Sequence, residues 1–292
     1  MIQSCLKKTI AVVLFVFALT VFAHPAHYLP ANAQFYGSIN ISKLLTVPAT
    51  QKYIPGMNEV MKEANLTIQD FDGILAFSID FSNDGKGVNL TAVCELNKPV
   101  ANNIFNKISN SSNDNSKRTY VYGKPAIEDK NGEFRLIQYS NSILVLQGHI
   151  EGKKTFLALN GKKGNQFTEI PNLINSHIAF TADTVAIIKM FVNEMFDKND
   201  AEIKKVFSKI GRAALTFNLT DDQKIKAVMV LACKSVKDAA DVTALCRRMI
   251  NRGIKANPEL KPILSRLEPM QEQSAVMFGA IIKISDIEKL CK

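Results

Sequence analysis

The sequence predicts an α+β protein built of two related halves, mainly antiparallel sheet covered by helices, with a β-meander in between. Three observations lead there. Alternating apolar runs separated by turn residues mark hairpins, and stretches with one apolar stripe mark helices that bury a single face. The order of these segments then recurs after about 140 residues, too long a period for a solenoid and suited to a duplicated unit.

Residues 1–23 have the layout of a secretory signal. Lys7 and Lys8 form a positive start, Thr9 to Ala23 is an apolar run, and Val21 and Ala23 place small residues before a cut after Ala23. The run is shorter than the roughly 18–20 residues that span a bilayer, so a cleaved signal is expected, with a retained anchor as the alternative. The expected location is the periplasm or outside the cell, and no integral membrane segment is expected after cleavage. Residues 24–33 are read as a flexible start of the mature chain. Residues 34–168 form the first repeat with its meander, and residues 169–292 the second repeat with a C-terminal strand and short helix.

In the first half, the strand from Phe35 leads through a helical stretch to the hairpin Gly73–Phe81 and Val88–Leu96, then to a helix from Asn97 to Ser109. The second half runs from the strand at His177 through helices to the hairpin of Arg212–Thr220 and Ile225–Cys233. A helix from Ser235 to Ile250 follows. Between the halves, Thr119–Tyr122, Glu133–Tyr139 and Ser142–Gln147 read as the meander, followed by a short helix over Lys153–Leu159. Near the C-terminus, Asn257 and Pro258 start a helix whose stripe is Leu260, Ile263, Leu264, Leu267 and Met270. The strand at Met277–Ile281 resembles Phe35–Ile39, and Ser285 with Glu288 reads as a capping box for a last short helix.

The chain has 292 residues and a net charge of +9, which becomes +7 once Lys7 and Lys8 leave with the signal. The basic residues are scattered. The densest group, Arg247, Arg248, Arg252 and Lys255, sits where helix-end cations complement the dipole. Without a basic stripe interleaved with aromatics, nucleic acid is not expected as a partner. Four cysteines, Cys94, Cys233, Cys246 and Cys291, remain after cleavage. An oxidising compartment permits disulfides among them, while their positions in apolar runs equally suit buried free thiols. No C-x-x-C occurs, which argues against a redox dithiol or a zinc ribbon.

Catalytic vocabulary is sparse. The sequence has no G-x-S-x-G, S-x-x-K, H-E-x-x-H, G-x-G-x-x-G or Walker-type loop, and Gly161–Gly164 is a basic turn without the helix a phosphate loop needs. His149 and His177, at strand ends, are the candidate catalytic bases, provided a carboxylate and a nucleophile converge on one of them. The carboxylate pairs Asp70 with Asp72 and Asp221 with Asp222 fall in turns, where solvated charge is expected. Asp80, Ser82 and Asp84, ahead of Gly85, resemble the first half of a calcium loop, although Thr91 stands where the bidentate Glu belongs. A cut after Ala23 would leave His24 and His27 as copper ligands at the amino terminus. No other cofactor is expected.

Leu29-Pro30-Ala31-Asn32-Ala33-Gln34, the strand that follows, and Ser42-Lys43-Leu44-Leu45 together resemble the start of uncharacterised exported bacterial proteins. Those combine a signal, an LPxxAQ entry and an α+β body. The resemblance covers about 20 residues and implies neither an activity nor site residues. The expected function is a non-catalytic binding or interaction module of the periplasm or cell envelope, with an envelope or extracellular partner. A hydrolase acting on envelope or extracellular material and a metal-binding protein are the alternatives.

Overall fold

In a computed structural model of the chain, the structure describes residues 25–30, 33–62, 65–81, 87–111, 116–150, 156, 159, 176–187, 201–220 and 222–286. The expected signal, the helix over 153–159 apart from residues 156 and 159, the Gly161–Gly164 turn, Cys291, Glu288 and the boundary at 168/169 therefore lie outside the described residues. The chain is α+β and separates into two compact units, Met1–Ile178 and Ala179–Lys292. Among the described residues, no helix is long and apolar enough to cross a membrane.

The strands of the first unit are β1 (Phe35–Asn40), β2 (Gly73–Phe81), β3 (Val88–Leu96), β4 (Ser116–Val121), β5 (Lys124–Asp129), β6 (Phe134–Gln138) and β7 (Ile143–Ile150). They lie in the order β1-β2-β3-β7-β6-β5-β4, each neighbouring pair antiparallel. The β4–β5 turn was not legible as a turn. Tyr122 and Gly123 both adopt positive φ, 53° and 68°, as a two-residue hairpin turn of the primed type requires. A tyrosine is an uncommon occupant of that conformation.

Helices α1 (Ile41–Thr46), α2 (Pro48–Gln51) and α3 (Ile54–Met61) join β1 to β2, and α4 (Ala101–Ser111) joins β3 to β4. The start of α1 is fixed by Asn40, whose side chain accepts from the Lys43 amide. In α4 the buried residues Ala101, Ile104 and Phe105 recur at helical spacing.

Directly opposed residues in an antiparallel sheet share a face. One face of this sheet is apolar, with Ile39, Leu75, Phe77, Ala92, Cys94, Leu96, Leu144 and Leu146 at or below nine per cent exposure. Helix α4 lies over it, since Arg118 on the same face donates through Nε to the Ser109 hydroxyl at 2.9 Å.

The segment expected to be a flexible tail is packed where it is described. Pro25–Tyr28 forms a 3-10 turn against β2 and β3, and Tyr28 and Leu29 are buried. The cause is a tertiary one. The Tyr36 hydroxyl donates to the Pro30 carbonyl at 2.7 Å and accepts from the Ala33 amide at 2.9 Å.

The second unit has β8 (Ile178–Asp183), α5 (Thr184–Ile187), α6 (Ala201–Phe207), β9 (Ile210–Leu219), β10 (Lys224–Cys233), α7 (Val236–Ala256), α8 (Lys261–Leu264), β11 (Met270–Glu272) and β12 (Ala275–Lys283). Its strand order is β11-β12-β10-β9-β8. The succession of strand, short helices, hairpin and helix seen in the first unit is present here too. β12 pairs with β10 as β7 pairs with β3.

Ser235 caps α7, accepting from the Asp238 amide at 3.1 Å and donating to its carboxylate at 2.7 Å. Lys209 reaches both Asp238 and Asp241. The Ser235 hydroxyl and this lysine hold Asp238 below the usual carboxylate range.

The helix expected over 258–270 is corrected. A 3-10 turn at Pro258–Leu260 and the four residues of α8 replace it, neither burying a residue fully, and Met270 is exposed in β11. Pro262 and Pro269, inside the expected span, leave no room for a continuous helix. The last helical turn begins at Ile284, so Ser285 does not cap it.

Cys94, Cys233 and Cys246 are free thiols. Burial pushes Cys94 up to about 12 and Cys246 up to about 11. A thiol raised in the folded state costs stability as pH climbs past its unfolded value, because only the unfolded chain ionises there. Unfolding free energy is expected to fall between pH 9 and 12, by up to about 1.4 kcal/mol per unit for Cys94. Denaturant titrations of the Cys94→Ala variant should show a shallower decline over that range than the parent. An equal decline in both would refute the assignment.

Candidate functional site: a polar row on a buried sheet face

The other face of the first unit's sheet is unlike its apolar counterpart. Register places Tyr36, Ser78, Thr91, Gln147, Arg135, Glu128 and Lys117 opposite one another, from β1 through β2, β3, β7 and β6 to β5 and β4. This is one transverse row of polar side chains across seven strands. Ser38 opposes Ala76 and so lies diagonal to Ser78. Ser38, Ser78, Thr91 and Gln147 are at most one per cent exposed.

The hydroxyls of Ser38, Ser78 and Thr91 are buried and have no hydrogen-bond partner among the described residues, and the same holds for Oε2 of Glu95, which lies on this face. An unmet buried hydroxyl costs about 1–3 kcal/mol. Three of them on one patch of one sheet face need a physical reason for being there.

Arg135 terminates the buried part of the row. Its Nε and Nη2 both donate to Oε1 of Gln147, at 3.0 and 2.7 Å. The guanidinium stacks on Phe156 at 3.9 Å and lies 5.8 Å from the Tyr122 ring centre. Burial pulls its pKa below the ordinary arginine value, against the opposing pull of Tyr122 and Glu128. No carboxylate among the described residues forms an ion pair with it, because Glu128, opposite in register, is taken by Lys117 at 2.8 Å. The cation is thus held on one edge and one face and has no ion-pair partner among the described residues.

The residues singled out from the sequence fall as follows. His149 is buried one step along β7 from this row, with Nε2 2.8 Å from the Gly132 carbonyl and its ring 5.4 Å from Phe156. Nε2–H donating to that carbonyl leaves Nδ1 as the acceptor, and no carboxylate or hydroxyl of the described residues bonds to the ring. His177 is half-buried ahead of β8, and its carbonyl accepts from the Asn40 amide at 3.2 Å.

Asp80 is the penultimate residue of β2, opposite Asn89, while Ser82, Asp84 and His24 lie outside the described residues. His27 is in the 3-10 turn, and its side chain is not described. No group of three or more metal-ligating side chains occurs among the described residues. Asp70 and Asp72 are engaged rather than simply solvated. Asp70 accepts from Thr67 and pairs with Lys107 at 3.3 Å, and Asp72 accepts from Asn97 at 3.2 Å. Asp222 pairs with Lys224, and Asp221 is outside the described residues.

The polar row was missed because each member looks ordinary in its own strand. Ala76, Ser78 and Asp80 alternate with Leu75, Phe77 and Ile79, which is normal for a half-exposed strand. Only register across the strands lines the hydroxyls up.

No family model matches the chain, and no curated protein matches it. The fold is similar to that in the structure of crystal form I of TP0453, with a TM-score of 0.47 and 10% identity over 92% of this chain and 96% of that one.

Proposed function

We propose that the chain is an exported protein, cut after Ala23, that acts in the periplasm or at the envelope as a non-catalytic binding module, with a polar ligand seated along the Ser38–Ser78–Thr91 row. The observation that supports this reading is the set of buried hydroxyls without partners. A surface evolved only for packing would place alanine or valine there at no polar cost. A ligand that hydrogen-bonds to the row turns that cost into affinity. The common succession of elements in the two units supports an origin by duplication, with the row belonging to the first unit.

The test is native mass spectrometry on the chain purified without denaturation, together with the double variant Ser78→Ala, Thr91→Val. The parent is expected to retain a non-covalent mass that the variant loses. The ligand-free variant is expected to be more stable than the ligand-free parent by about 1–2 kcal/mol, because two unmet hydroxyls are gone. No retained mass in the parent, or a variant that keeps it, would remove the basis for this function.

A further inference from the structure

The charge at the end of the row says more about the ligand, and this step rests on the binding reading above. We propose that Arg135 is the anion-recognising group of the site, taking a carboxylate or phosphate oxygen pair of the ligand on the guanidinium edge that Gln147 leaves open.

Three features support it. First, the cation is preorganised. Gln147 is fully buried and clamps the Nε–Nη2 edge, while Phe156 holds one face of the plane at 3.9 Å. A long side chain fixed in this way has already lost the rotamer freedom that binding would otherwise cost. Second, it has no ion-pair partner among the described residues. Among the described residues, the nearby carboxylate of Glu128 is committed to Lys117 at 2.8 Å. A half-buried guanidinium with no ion-pair partner among the described residues is an unfavourable arrangement for stability alone, since the pull of Tyr122 and Glu128 only partly offsets the burial penalty on the charge. Besides Gln147, the guanidinium hydrogen-bonds to the Tyr122 side chain, a neutral group that an oxyanion outcompetes as acceptor.

Third, the position is continuous with the unmet hydroxyls. Arg135 opposes Gln147, which opposes Thr91, which opposes Ser78. One molecule bearing an oxyanion at one end and hydrogen-bonding groups along its body satisfies the guanidinium and the hydroxyls of Thr91 and Ser78. A neutral polyol would leave the guanidinium unmatched, and a simple inorganic anion would leave the hydroxyls unmatched.

The probe is the side-chain Nε–Hε signal of Arg135 in a 15N-labelled full chain, titrated at constant ionic strength with acetate, with inorganic phosphate and with glycerol. A saturable shift with acetate, phosphate or both, and none with glycerol, is expected. Which ion acts identifies a carboxylate or a phosphoryl group. Arg135→Lys, which keeps the charge but removes the fork, is expected to weaken the effect on neighbouring strand signals about tenfold, and Arg135→Gln to abolish it. If Arg135→Gln does not fold, Arg135→Lys carries the test. No shift of the Arg135 signal with either ion, or an unchanged response in Arg135→Lys, overturns the inference.

The two readings fail separately. If the parent retains a ligand mass that the Ser78, Thr91 variant loses, yet neither ion acts at Arg135, the binding module stands and the anion assignment falls. If the ions act at Arg135 and that variant keeps its ligand, the anion site stands and the hydroxyl row is not the binding strip.

Discussion

Leu29→Ala is expected to lower the free energy of unfolding by about 3 kcal/mol, within the range for a large-to-small change in a core. Leu29 is fully buried, and its neighbour Tyr28 is nearly so. The residue lies in a stretch with no helical or strand periodicity, where a sequence reading places a flexible lead-in. Its burial follows from Tyr36, whose hydroxyl holds both the Pro30 carbonyl and the Ala33 amide. Tyr28 adds an edge-on contact with Tyr139 at 5.4 Å between ring centres. Urea titration of the mature chain gives the measurement. A loss below about 0.5 kcal/mol, the level of an ordinary surface change, would mean that the segment is a tail after all. Tyr36→Phe should cost about 1 kcal/mol through the same tether, since one hydroxyl serves two backbone groups.

Gly73→Ala should be equally severe, at about 3 kcal/mol, for a reason in the backbone rather than in the core. Gly73 opens β2 opposite Leu96. A Cβ there would stand 2.2 Å from the Glu95 carbonyl oxygen and 2.6 Å from Leu96 Cα. Neither atom belongs to a side chain that could swing aside, so the β2–β3 pair must separate or shift. The surroundings resist this. The Gly73 carbonyl accepts from the Ser42 hydroxyl at 3.2 Å, and the Asn97 amide donates to the Asp72 carbonyl at 2.9 Å.

Gly211, near the start of β9 in the other unit, is the control. Its Cβ would meet only the Ala232 carbonyl oxygen, at 3.6 Å, an ordinary contact. Gly211→Ala should therefore lie within about 0.5 kcal/mol of the parent or stabilise it slightly, since alanine restricts the unfolded chain. Equal losses at the two glycines would show that strand propensity, and not the close approach at Gly73, sets the cost.

Much of the fold was legible locally. The strands flanking both long hairpins, the helix beginning at Ser235 and the helix after Pro99 each carry their signal in one window: alternation, a cap, or a stripe at helical spacing. The misses have a common cause. Met270 completes an apolar stripe by spacing, but Pro269 and pairing with Met277 place it in a strand. The Tyr122–Gly123 turn went unread because tyrosine does not advertise a positive φ.

The candidate site was less legible still. His149 drew attention as a histidine, and the structure occupies it with a backbone carbonyl and an aromatic ring. Ser78, which carries the binding argument, drew none, and Thr91 drew it only as the residue in place of a calcium-loop glutamate.

The sequence by itself determined the α+β class, the hairpins and the main helices. Each of these depends on residues near one another in the chain, where spacing and capping chemistry act directly. Only the tertiary structure decided that Leu29 is core, that Gly73 admits no side chain, and that Ser78, Thr91, Gln147 and Arg135 form one row. Those facts depend on strand register, which joins residues as far apart as Ser78 and Gln147. Register is set by the summed burial of whole strands rather than by any one of them, so no single stretch of sequence contains it.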